Sequence, residues 1–488
     1  MNECLVRRVP APPVSEKLPL PSRLRRLRYA APVACLIAVA AEGQGFGLNE
    51  IGTCAVGRGF AVTGAPCADA SDIYWNPAAT TRGANGKTTL TLGGALIALN
   101  GGFRQDTSGR RYASDVPTSF VPHLFGNYVM GRTAFGLGVY VPYGLTSQWR
   151  DDFPGRFSAK KASLQTFYIQ PNIAYAITPT WSIGGGPVLG YSRVELIQSQ
   201  DFSAQPVPGQ PFTFGYLGIA SETEFARARI KGSATGAGFH VGVFGRPTPE
   251  WTVGARYLST VRFNYDDADA TFTQIPTNLV LPVGNPINSG TTVSIDALVQ
   301  PQFTGSGALT AQKASTTIKH PWQAAIGVGY AGFRRTLISA DVLRLGWSEF
   351  NTLPLTFKGA ASAESRVLIE DYNDIWAYRV GVEHRVQSTN TWNGITLRGG
   401  FSYADTPAPD ATVTPLLPDM PRRNTSFGIG IPLGPTTTLD ASYLYVGTPG
   451  RRGRIIERTS ESQTANQLNS GAYDLEANVF SVTLTTTF

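Results

Sequence analysis

The sequence predicts an all-β fold, an antiparallel transmembrane β-barrel of about fourteen strands. Three observations lead there. Apolar and polar residues alternate with period two over long stretches, so each stretch has one apolar and one polar surface. Those stretches run to roughly 10–20 residues, against about 5–6 for an ordinary strand, with Tyr, Trp and Phe clustered near their ends. After the first 43 residues, no apolar run approaches the roughly 18 residues that mark a membrane-spanning helix. A soluble sandwich would alternate in the same way with its apolar face inward. Strand length and aromatic placement favour the barrel.

Residues 1–43 read as a secretory signal peptide, with cleavage near 41–44. The basic run Arg23–Arg28 precedes an apolar stretch from Tyr29 to Ala41, then the small-residue zone Ala41-Glu42-Gly43. About 13 apolar residues fall short of the ~20 that a spanning helix needs. Of the formal charge of +7, +4 lies in this segment and +3 in the rest, which argues against a nucleic-acid partner. Scarce charge and abundant aromatics exclude a disordered chain. Cys4 and Cys35 leave with the presequence. Cys54 and Cys67 remain, 13 positions apart in an exported chain, and predict a disulfide contributing about 3 kcal/mol.

The strands fall near 88–99, 118–129, 132–144, 163–177, 180–197, 226–246, 250–265, 314–331, 335–350, 375–387, 394–405, 424–432, 437–447 and 474–488. In the tenth, Trp376, Tyr378, Val380 and Val382 share one face, and Arg379, Glu383 and Arg385 the other. In the eleventh, Ile395, Leu397, Phe401 and Tyr403 oppose Arg398 and Ser402. In the last, Phe480, Val482, Leu484 and Phe488 oppose Ser481, Thr483, Thr485 and Thr487. Its terminal Phe488 resembles the assembly signal of bacterial outer-membrane barrels. Short turns such as Met130-Gly131-Arg132 and Thr178-Pro179-Thr180 fit the periplasmic side. Long connections, above all 198–225 and 266–313, fit the outer side, and the second is long enough to form a functional cap.

The mature start, "GFGLNEIGTCAVGRGFAVTGAPCADASDIYWNPAAT", resembles that of the FadL/TodX family of outer-membrane transporters. Ordered landmarks continue through "YVPYGLTSQWRDDFPGRF", "WSIGGGPVLGYSRVEL", "VGARYLSTVRFNYDD", "DIWAYRVGVEHRV" and "LRGGFSYADTPAPDATVTPLLPDMPRRNTSFGIGI". The resemblance implies a barrel over 88–488, plugged by a hatch over 44–87, in the bacterial outer membrane. It implies passive uptake of long-chain fatty acids or aromatic hydrocarbons, by hatch movement and lateral diffusion through the barrel wall. Phe46 and Leu48 take the place of the family's mobile N-terminal aromatic and its neighbours. Asn76, Pro77 and Ala78 take the hatch motif, and Pro142 and Gly144 are candidates for the kink that opens the third strand. The hatch cysteines depart from the family pattern.

A carboxylate-tailed substrate calls for a guanidinium in an otherwise apolar pocket. Arg256, Arg379, Arg385 and Arg398 face inward by alternation and are the candidates, set against ion pairs that merely fill a lumen. No cofactor or metal is expected. The acidic run Asp266-Asp267-Ala268-Asp269 lacks EF-hand spacing, and "GGGPVLG" lacks the strand-to-helix context of a phosphate loop. His123, His240, His320 and His384 are the available general bases, but no G-x-S-x-G elbow accompanies them, so an enzyme is not expected. The expected partners are a hydrophobic ligand, outer-membrane lipid and lipopolysaccharide, with the chain a monomer. The competing functions are a surface adhesin or phage receptor and a general porin.

Overall fold

The computed structural model describes residues 45–387, 394–460, 462 and 470–488; the signal-peptide reading lies outside them. Fourteen antiparallel strands form the wall. They are β1 (Thr88–Gln105), β2 (Ser119–Met130), β3 (Thr133–Gln148), β4 (Lys161–Ala176), β5 (Trp181–Gln200) and β6 (Ala226–Gly245). Next come β7 (Trp251–Leu258 and Val261–Gln274), β8 (Gln312–His320 and Gln323–Phe333), β9 (Thr336–Leu345) and β10 (Ile375–Arg385). The wall ends with β11 (Thr396–Ala404), β12 (Arg422–Pro432), β13 (Thr437–Gly447) and β14 (Gly471–Thr487). Closure comes from β1 and β14, paired from Thr89↔Thr487 to Gln105↔Gly471. Closing the sheet pairs its first and last strands with each other, so neither faces lipid, which offers no hydrogen bonds, as an open edge.

Alternation places side chains as the sequence predicts. On β10, Trp376, Tyr378, Val380 and Val382 are exposed on the outer surface, while Arg379 and Glu383 are buried inside. The expected boundaries shift where backbone chemistry interrupts the pleat. β7 breaks at Ser259-Thr260 and β8 at Pro321-Trp322, and the breaks lie opposite each other, between Leu258↔Gln323 and Val261↔His320. Four connections also contain ladders among the described residues, two of them at Val280–Leu281 with Val293–Ser294 and at Arg451–Gly453 with β14. Arg111–Ala113 pairs with the end of β1, and Thr352–Phe357 pairs with Arg366–Ile369. The long connections 201–225 and 275–311 share a small apolar core that includes Phe202, Phe214, Phe225, Leu281, Ile295 and Leu309.

Inside the wall lies the hatch, with two short helices, α1 (Thr53–Gly57) and α2 (Asp72–Trp75). It is tied around the circumference. Thr53 Oγ1 bonds Ser481 and Thr483 on β14 at 2.7 and 2.6 Å. The Val62 and Thr63 amides donate to Asp341 on β9 at 2.9 and 2.7 Å. Gly59 N donates to Ser426 on β12, and Ala70 N to Thr91 on β1. β2, β4 and β5 donate in turn: Asn127 to Thr80 O, Gln170 to Ile73 O and Ser182 to Ala78 O. Glycine makes this fit possible at Gly64, where a Cβ would lie 2.1 Å from the Gly327 carbonyl oxygen of β8. Cys54 and Cys67 are joined in a disulfide that closes the loop between them.

Candidate functional site

The third strand sets the site. Between Tyr140 and Tyr143 one extra residue enters β3: Tyr140 pairs with Tyr168 and Tyr143 with Thr166 of β4. A single-residue bulge reverses which parity faces inward, so Tyr140 and Tyr143 both point into the barrel and both are fully buried. Pro142 supplies no backbone donor there. The strand then continues to Gln148, so Pro142 and Gly144 lie within it and not at the expected strand end. The β2–β3 ladder runs only from Leu124↔Val139 to Met130↔Thr133. Among the wall strands, residues 119–123 of β2 pair only with β1, and 143–148 of β3 only with β4. Beyond this gap the chain closes again at the Ser114↔Trp149 bridge. The wall therefore has a window.

The N-terminal segment occupies the edge that β2 leaves free. Gly47 bridges Tyr143, Leu48 N donates to Pro142 O at 2.9 Å, and Gly144 N donates to Phe46 O at 3.0 Å. A Cβ at Gly144 would lie 2.8 Å from a Leu48 methyl, so a larger residue there would make the Leu48 side chain move. Phe46 is enclosed by Tyr143, His320, Trp347 and Phe350, with ring centroids 4.7–6.1 Å away. The Tyr143 hydroxyl spans the lumen to the β8 break, donating to Pro321 O at 2.8 Å and accepting from Gln323 at 2.9 Å. The outer connection 405–421 and the start of β12 clamp the same segment. Gly45 N donates to Asp419 at 3.0 Å, and Arg422 donates to Gly45 O at 2.9 Å and Gly47 O at 3.4 Å. Burial raises the Asp419 carboxyl above its ordinary range, while Arg422 pulls it back.

A cavity of about 310 Å³ runs along the window. Leu48, Phe120, Val141, Leu145, Leu417 and Met420 are among its apolar lining residues, and Gly144 also lines it. A smaller groove of about 70 Å³ opens among the outer connections, between Leu196, Phe202, Leu309 and Leu416.

The arginines named from alternation lie elsewhere. Arg256 and Arg379 sit beneath the hatch, Arg256 5.1 Å from the Tyr74 ring and Arg379 5.4 Å from that of Trp75. Arg398 is held between Glu383 at 2.9 Å and Asp440 at 2.5 Å. Arg385 corrects the alternation argument. It has the inward parity, but β10 ends there, so its side chain passes the rim and is 68% exposed. Asn76 donates to Thr63 O and Val243 O, both at 3.0 Å, and its side-chain oxygen caps Ala78 N. Asn76 thus fastens the hatch to β6, while the Pro77 and Ala78 carbonyls accept from Asn172 of β4 and Ser182 of β5. The four histidines partner Thr483, Gln170, Tyr168 and Thr336, none of them a serine. Asp419, Arg422 and Trp347 were missed, because nothing in their local sequence marks them as touching residues 45–47.

The sequence matches one family model, the outer membrane protein transport proteins (OMPP1/FadL/TodX), over residues 34–488. The chain belongs to this family. It is 25% identical over 442 residues to a long-chain fatty acid transport protein of Escherichia coli O6:H1, covering 85% of this chain and 90% of the relative. A crystal structure of a Pseudomonas aeruginosa FadL homologue superposes with TM-score 0.71 at 22% identity, covering 91% and 99% of the two chains. The Pseudomonas putida toluene transporter TodX superposes with TM-score 0.63 at 15% identity, covering 92% and 99%. The protein is thus an outer-membrane β-barrel of a transport family. The hatch fills the lumen that a general porin would keep open.

Proposed function

We propose that this barrel is a passive, monomeric channel, and not an enzyme, carrying small hydrophobic molecules from the cell surface into the outer membrane. The cargo belongs to the classes named for its relatives, long-chain fatty acids or monoaromatic hydrocarbons. The interrupted β2–β3 ladder with an apolar cavity along it carries this reading. Ligand collects in the groove among the outer connections, enters the cavity, displaces Phe46 and Leu48 from the β3 edge, and leaves sideways through the window. Apolar burial at about 25 cal/mol per Å² supplies affinity without an energy source. Loss of 45–48 from the β3 edge would free the Leu48 N–H and the Phe46 carbonyl, which makes displacement a discrete step and not a leak.

Uptake of labelled oleate and toluene, in cells with and without the protein, tests the function. Equal uptake in both would end the transport reading for those cargoes. Deleting Pro142 removes the extra residue and restores a regular ladder. Uptake should then fall to the background while the barrel still assembles.

A further inference from the structure

If the barrel is a transport channel, the charges around the window cavity bear on which cargo it accepts. Four charged side chains line the cavity: Glu50, Asp419, Asp474 and Arg422. Three are acids. Asp474 is paired with Arg111 at 2.6 Å, outside the clamp. Glu50 and Asp419 are buried and accept backbone N–H groups, Glu50 from Asn49 at 2.9 Å and Asp419 from Gly45 at 3.0 Å. Asp419 and Arg422 both hold Gly45, one at its N–H and the other at its carbonyl, and burial raises the Glu50 and Asp419 carboxyls while the charge of Arg422 lowers them. Among the described residues that line the cavity, acids outnumber the one cation by three to one, and two nitrogens of that cation donate to the Gly45 and Gly47 carbonyls. The buried arginines among the described residues, Arg58, Arg256, Arg379 and Arg454, do not line the cavity.

We propose that Glu50, Asp419 and Arg422 are specificity-determining residues, and that the cavity selects uncharged apolar ligands over carboxylates; this selection rests on the proposed channel function. A ligand carboxylate would enter as a third anion around one guanidinium. In a site of low effective dielectric it would be repelled by both acids and would have to displace the backbone carbonyls to reach Arg422. An uncharged molecule meets Leu48, Phe120, Val141, Leu145 and Leu417 without disturbing the clamp. Fatty acids are then carried poorly as anions, and hydrocarbons, alcohols, amides or esters well.

The test compares decanoate with decanamide, which share chain length and headgroup shape and differ in charge. Binding to the purified full-length mature protein at neutral pH is followed through Trp149, which lines the cavity, with Trp149→Phe showing that the signal is local. Decanamide should bind at least about tenfold more tightly than decanoate, with that ratio collapsing toward one in the Glu50→Gln/Asp419→Asn double variant. The wild-type comparison stands alone if the double variant fails to assemble. Decanoate binding as tightly as decanamide to the wild type, or a ratio unchanged in a folded double variant, would overturn the charge selection and leave the channel reading intact. If neither probe alters the Trp149 signal, the cavity does not capture ligand, and the transport route that underlies the selection fails with it.

Discussion

Two parts of the lumen differ in how they are held. The hatch body, from Ile51 to Arg82, hydrogen-bonds to the wall on several sides: β14, β12, β9 and β1 on one part of the circumference, and β2, β4, β5 and β6 on the other. The backbone of Gly45–Leu48 bonds along one strand edge and to Asp419 and Arg422, and Phe46 packs against Trp347 and Phe350 of a second connection. Anchors spread around a circle must break together before the hatch body can shift, whereas contacts on one edge can peel in sequence. A passive channel needs both, a plug that stays and a short stretch that yields.

Substitutions can break or sharpen this contrast. The largest effect is expected from Asp341→Ala, which strands the buried amides of Val62 and Thr63 at about 1–3 kcal/mol each. Thermal unfolding should show it as a lower transition, and an unchanged transition would mean that the hatch does not depend on this anchor. Phe46→Ala removes a ring from four aromatic neighbours and should cost about 3–5 kcal/mol, confined to the segment. Limited proteolysis should then trim the N-terminus while the hatch body resists. Cleavage throughout the hatch would dissolve the distinction between the two regions.

Changing Cys54 and Cys67 to serine should cost about 3 kcal/mol through the entropy of the closed loop. Mass spectrometry of unreduced wild-type protein should contain the Cys54–Cys67 peptide, and proteolysis of the variant should report loosening within 54–67. Arg422→Gln frees two carbonyls from a partly exposed guanidinium, an expected loss of about 1–2 kcal/mol after screening. Its signature is faster N-terminal trimming with no change in melting. Arg385→Gln, at the exposed rim, should stay within about 0.5 kcal/mol of wild type in the same melt.

The sequence by itself determined the barrel, because a period-two pattern reports which side of each strand meets lipid whatever its neighbours are. Trp376, Tyr378 and Val380 against Arg379 could be read from spacing alone. Ordered landmarks from Gly45 onward likewise carried the family. Only the tertiary structure decided the site. Alternation says that Arg256, Arg379 and Arg398 point inward, but not that the hatch or opposing carboxylates already cover them. A proline in a strand signals a lost donor, but whether it ends the strand or opens a window depends on where the neighbouring strand stops pairing. Asp419 and Arg422 meet residues 45–47 across more than 370 positions of sequence. Such contacts arise when closure brings an outer connection over the lumen, and no local pattern records them.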